Sequence, residues 1–158
     1  MLREMIGMAE GILQDLHNDH QEVSKMIETI IKTEDGKERG ALFSEMKQML
    51  LAHSHAEQNV LYKKLQKSDD EKSRQFTYEG TNEHEIVERQ LEQLSKARNK
   101  ASEQWTAQMI VLKELVNHHV KEEESTGFSC ARSEFEREEL EKMGQQFQRQ
   151  KEKLMAEA

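Results

Sequence analysis

Residues 50–65 read LLAHSHAEQNVLYKKL, and this stretch decides the fold. Leu50, Val60, Leu61 and Leu65 recur on one face of a 3.6-residue helix, and the gap between them is filled by His53 and Glu57. His53 lies three residues after Leu50, Glu57 four after His53, and Val60 and Leu61 three and four beyond that, so the polar pair interrupts the apolar stripe without shifting it. An unpaired carboxylate in a core costs on the order of several kcal/mol before it neutralises, so a Glu in this phase asks for a partner.

The same pattern occurs in three other segments. A first helix is expected from about Met8 to Thr33, with Ile12, Leu16, Val23, Ile27 and Ile30 on its stripe and His20 in the gap, ending at TEDGKERG (33–40). The second, from about Ala41 to Leu65, includes the stretch above and adds Leu42, Met46 and Met49; KSDDEKS (67–73) forms the turn after it. A third, from about Lys72 or Phe76 to Ala101, carries Val87, Leu91 and Leu94, with His84 as its polar member and Gly80 one turn earlier. The fourth, from about Glu103 to Glu124, carries Trp105, Met109, Leu112 and Val116 and continues through His119 and Glu123 until STGFSC (125–130) breaks it. A fifth segment, from about Ser133 to Met155, sets Phe135, Leu140, Met143, Phe147 and Leu154 in a dense charged background; it packs across the bundle or pairs with another subunit, and the first arrangement is favoured. The chain divides accordingly into a four-helix unit, 1–128, and a helical extension, 129–158.

Composition agrees with an all-α reading. There is no Pro, there are only 7 Gly in 158 residues, and the abundant Glu, Lys, Gln, Leu and Met lose little rotamer freedom in a helix. Hydrophobic residues make up 35% and charged residues 34%, enough apolar material for one thin core in one domain. A net charge of -8 argues against a phosphate-tracking nucleic-acid binder and against anionic membrane surfaces, leaving small molecules, ions or proteins as partners. The single Cys130 cannot form an internal disulfide, the opening segment lacks the apolar run of a signal peptide, and no stretch approaches the roughly 20 apolar residues of a membrane span. A cytoplasmic protein is expected. No Gly-rich phosphate loop, Cys-x-x-Cys pair or Ser-His-Asp order supports a nucleotide-dependent or hydrolytic function.

Four helices thus each offer one His inward, His20, His53, His84 and His119, and two add a Glu one turn later, Glu57 and Glu123. A carboxylate-bridged dinuclear metal site needs this set: terminal imidazoles, carboxylates able to bridge, and facing helices to hold them. Two non-haem irons are the first choice, because zinc favours four tetrahedral ligands and often thiolates that one cysteine cannot supply; zinc or manganese remain substitutes. By pairing, His20 and His53 would serve one metal, His84 and His119 the other, with Glu57 and Glu123 between.

These residues resemble a known family. DLHNDHQEV around His20, the stretch around His53 and Glu57, TNEHEIVERQL around His84 and NHHVKEEESTGF around His119 and Glu123 together look like a hemerythrin-like, HHE cation-binding domain over about Leu13 to Phe128. The resemblance implies an up-and-down four-helix bundle with a di-iron centre. Activities in such proteins span reversible oxygen binding, oxygen, redox or nitric-oxide sensing, and iron-centre repair, so the expected ligand is a small diatomic molecule or a peroxide. Two other readings stay open: a di-iron redox enzyme, and a structural or interaction module that a metal merely stabilises; a homodimer is also open.

The chain departs from the family pattern in places. Gly80 stands where oxygen carriers place a fifth His, Ser54 stands where some relatives offer a carboxylate, and Lys63 and Ser129 replace prolines that commonly follow these motifs. No cysteine precedes the first helix as it does in the repair proteins. His17, His55 and His118 fall off the stripes and are expected to be exposed or supporting. Glu83, Glu122 and Glu124 are read as solvated charge, with orientation of an imidazole N–H as the alternative, Tyr62 and Trp105 as packing residues, Met46, Met49 and Met109 as core filler, and Cys130 as an unactivated thiol. For Tyr62 a hydrogen bond to bound dioxygen is the alternative.

Overall fold

The computed structural model describes residues 10–158, so the expected start of the first helix at Met8 lies outside the described residues. Helix α1 spans Ile12–Lys32. Helix α2 runs from Gly36–Glu57 through a wider, π-helical segment, Gln58–Tyr62, into Lys63–Leu65. Helix α3 is Glu71–Lys96. Helix α4 runs Glu103–Glu122, then a second π-helical segment, Glu123–Gly127, then Phe128–Glu134. Helix α5 is Arg137–Glu157. The described residues contain no strand.

Short connections make α1 to α4 antiparallel neighbours: α1 packs on α2 and α4, and α3 packs on α2 and α4, which closes an up-and-down four-helix bundle. Helix α5 lies against α1 and α2 of the same chain, the arrangement favoured from the sequence, and buries Leu140, Met143 and Phe147 there.

Two helix ends differ from expectation. GKERG (36–40) is already helix, because Asp35 accepts a hydrogen bond from the Glu38 amide and caps α2, which starts at Gly36, five residues before Ala41. Arg39 then fixes that end: its guanidinium donates to the carbonyls of Ile30, Ile31 and Lys100 and to Thr106 Oγ1, tying three helix ends together. STGFSC does not break the fourth helix. With no proline to remove an amide donor, Ser125 bonds back to the carbonyl of Lys121 and the helix continues, burying Phe128, Cys130 and Ala131.

The core is two apolar clusters separated by a polar layer. One contains Ile12, Leu13, Leu16, Leu61, Leu65, Phe76 and Phe128, together with Leu140, Met143 and Phe147 from α5. The other contains Val23, Ile27, Ile30, Phe43, Leu91, Trp105 and Leu112, with Met46 and Met109 as filler. Between them lie His20, His53, Glu57, His84, His119 and Glu123, all buried. No helix of the described residues is long and apolar enough to cross a membrane.

Candidate metal centre

Each bundle helix passes its stripe from one apolar cluster to the other and changes chemistry at mid-height. All six residues singled out from the sequence meet there. One ligand atom from each of His20, His53 and Glu123 lies within 4.8 Å of the other two, and the same holds for Glu57, His84 and His119. His20 Nε2 is 2.9 Å from Glu123 Oε1, His84 Nε2 is 3.2 Å from Glu57 Oε1, and the Nε2 atoms of His84 and His119 are 3.1 Å apart.

Every one of the four imidazoles is held from behind through Nδ1. His20 Nδ1 meets Glu124 Oε2 at 2.7 Å, His53 Nδ1 meets Asp19 Oδ2 at 2.9 Å, His84 Nδ1 meets Gln58 Oε1 at 2.6 Å, and His119 Nδ1 meets Glu83 Oε1 at 2.6 Å. These partners present acceptor oxygens, so Nδ1 carries the hydrogen and donates, and Nε2 turns inward as a lone pair in the neutral ring. Glu83 and Glu124 are therefore not merely solvated charge. Each spends its carboxylate on an inward-facing imidazole, because the residue adjacent to a ligand on one helix faces the ligand of the neighbouring helix. Asp19 and Gln58 were missed altogether. The available signal was their place directly beside His20 and Glu57, which puts a polar group at the edge of the core.

The inward atoms are short of protons. Both carboxylate oxygens of Glu57 are buried with no donor, His20 Nε2 and Glu123 Oε1 face only each other at 2.9 Å, and both glutamates are 0% exposed. Native interiors rarely leave such atoms orphaned unless an ion or a water satisfies them. Burial and the charge of Glu123 push the Glu57 carboxyl well above its ordinary range. Burial opposes ionisation of Glu123, but the adjoining Glu57 carboxyl and the His20 and His119 imidazoles outweigh it and hold that carboxyl well below. For His20, burial is likewise overcome by the Glu123 and Glu124 carboxylates, which lift it to about 9; burial and the neighbouring His119 drop His84 to about 3. A set of converging lone pairs that must borrow protons to coexist fits cations, in donor types suited to iron, manganese or zinc.

The π-helical segments shape the rest of the site. An i to i+5 turn brings the residue five after Glu57 onto the same face, and that residue is Tyr62. It is buried, stacks on the His84 ring at 5.4 Å between centroids, and its O–H donates to Glu123 Oε2 at 2.7 Å. Tyr62 thus does more than pack. Glu123 opens the second such segment, after which Phe128 is buried in the first apolar cluster. Trp105 stays a packing residue: its Nε1–H donates to the Leu94 carbonyl in the distant cluster.

On the opposite side, a cavity of about 20 Å³ touches His20, His53, His84 and His119 and is otherwise lined mainly by Val23, Leu50, Val87 and Val116, with Ser54 at its wall. His55 and His118 point outward, beside Glu88 and Glu83 at 3.5 and 3.6 Å, and His17 supports Glu124 at 3.0 Å.

A helical bundle with a layer of converging His and Glu at mid-height is the architecture of cation-binding four-helix proteins. Residues 11–131 match the hemerythrin HHE cation binding domain, and the chain belongs to that family. A protein of Nostoc sp. strain PCC 7120 described as a DNA nickase is 28% identical over 143 residues, which cover 90% of this chain and 40% of that protein. The chain therefore spans well under half the length of that relative. No solved structure matches the chain.

Proposed function

We propose that this chain is a non-haem di-iron protein of the hemerythrin type that binds O2, nitric oxide or a peroxide, for sensing, storage or protection from oxidative or nitrosative stress in the cytoplasm. His20, His53 and Glu123 would hold one iron and Glu57, His84 and His119 the other, with the two carboxylates available to bridge. The observation that carries this reading is the convergence of the imidazole Nε2 atoms on the buried oxygens of Glu57 and Glu123, of which both on Glu57 lack a donor.

When bound, the iron pair supplies redox electrons and an exchangeable coordination position. The chain's residues do the remainder. Asp19, Glu124, Gln58 and Glu83 orient the imidazoles, and Tyr62 holds Glu123 through its O–H. Val23, Leu50, Val87 and Val116 give a cavity of about 20 Å³ against the imidazoles an apolar wall. A space of roughly 10–15 Å³ admits one water, so this one favours a molecule of two or three atoms over a bulky substrate. A redox enzyme acting on the same ligands differs only in turnover, which sustained consumption with an electron donor would reveal. DNA, suggested by the name of the Nostoc relative, is disfavoured by the net charge of -8.

The test is metal content per chain after anaerobic purification, with optical spectra before and after air or nitric oxide is admitted. Two irons per chain and new charge-transfer bands are expected. No metal, or one zinc without spectral response, would overturn the reading, and relaxation of supercoiled plasmid by the purified chain would revive the DNA alternative.

A further inference from the structure

Helix α5 lies outside the residues that match the hemerythrin domain, yet it reaches the centre. Met143, Phe147 and Lys151 stand one turn apart on the row that faces α1 and α2. Phe147 sets its ring edge-on against His53, with centroids 5.6 Å apart at 85°. One turn on, Lys151 Nζ donates to both oxygens of Asp19, at 2.8 and 2.9 Å, and Asp19 Oδ2 accepts from His53 Nδ1. The two side chains are largely buried, Lys151 14% and Asp19 9% exposed.

The other three imidazoles rest on Glu124, Gln58 and Glu83, all within the matched domain. His53 alone among the four has its partner clamped from outside it. Without the ammonium, Asp19 would be a buried carboxylate shared with a single N–H, and it would turn toward water or take a proton. Either response releases the His53 ring. Partners that orient a metal-binding imidazole also set how strongly it binds.

We propose that the C-terminal helix is a working part of the metal centre: Lys151, acting through Asp19 on His53, is a positioning residue that sets cation affinity at the His20, His53 and Glu123 group. Docking of α5 and cation binding there are consequently linked, each strengthening the other by the same factor. This rests on the metal reading above.

The experiment is anaerobic titration of the full metal-free chain with Co(II) or Fe(II), together with NMR of the histidine ring nitrogens before any metal is added. In the wild-type chain two cations bind, and His53 carries its hydrogen on Nδ1. In Lys151→Met one of the two affinities should fall about 10- to 100-fold while the other holds, and the His53 Nδ1–H signal should be lost. Lys151→Arg, which can still bridge both Asp19 oxygens, should restore both, and Lys153→Met on the exposed side should change neither. Two unchanged affinities and an unchanged His53 tautomer in Lys151→Met would overturn this proposal alone. A wild-type chain that binds no cation would overturn the metal reading and this proposal with it.

Discussion

The Tyr62 hydroxyl occupies the space a side chain on Gly80 would need: a β-carbon built on Gly80 would lie 2.7 Å from the phenol oxygen and 2.9 Å from the ring. The two residues are reciprocal. Gly80 leaves a hollow at the point where a fifth histidine would project, and Tyr62, brought onto the face by the π-helical turn, fills it and bonds to Glu123.

Gly80→Ala should therefore destabilise the protein, although Ala is preferred to Gly inside a helix by about 1 kcal/mol. The clash with a ring packed on His84 and Phe76 outweighs that preference, and a net loss of about 1–3 kcal/mol is expected. Gly40→Ala meets only Lys100 Cδ, at an ordinary contact distance of 3.5 Å, and should stabilise by about 0.5–1 kcal/mol. Thermal unfolding of the two variants checks the pair; a gain in both would show that Tyr62 yields freely.

Replacing one buried carboxyl should separate stability from binding. Glu57→Gln is expected to leave the metal-free chain at least as stable as wild type, since neither oxygen of Glu57 has a hydrogen-bond partner. The same variant should lose most of its metal and hence the rise in melting temperature that added cation gives. Elemental analysis with and without added iron decides this, and full occupancy in Glu57→Gln would remove that residue from the ligand set.

Cation binding should release protons. His20, lifted to about 9, is protonated in the metal-free protein at neutral pH, and Glu57 is raised well above its ordinary range, so a cation must displace hydrogen from both. Affinity is expected to climb with pH and to level off above about 9. Calorimetry in two buffers of different ionisation enthalpy measures the release; identical heats in both would contradict the assignment of His20.

Stability of the metal-free chain has a matching signature. The raised His20 adds stability that is complete below its ordinary 6.5 and lost as pH rises through about 9. The depressed His84 adds stability that is complete above 6.5 and lost as pH falls toward about 3. These two groups place the optimum near 6.5, and saturating cation should flatten the alkaline limb. Denaturant midpoints across that range test it.

His55→Ala should leave metal content near that of wild type, because this ring is 43% exposed and pairs with Glu88 on the surface. Loss of half the metal on elemental analysis would show that His55, rather than His53, is the ligand on α2.

The sequence by itself determined the helices, their number and the height at which each turns polar. Stripe spacing is a local property: His20, His53, His84 and His119 sit at fixed helical steps from their apolar neighbours, and any bundle that buries the stripes must bury them too. Only the tertiary structure decided what stands behind those residues. Asp19, Gln58, Glu83 and Glu124 lie next to inward residues on their own helices, where the local pattern reads as solvated edge, and each becomes a partner only because an adjacent helix presents an imidazole to it. Tyr62 reaches the centre because one turn is wider than α, and Lys151 because α5 docks on α1 and α2 at one register. Neither the pitch of a single turn nor the docking of a helix separated by 132 positions from Asp19 leaves a mark in local periodicity.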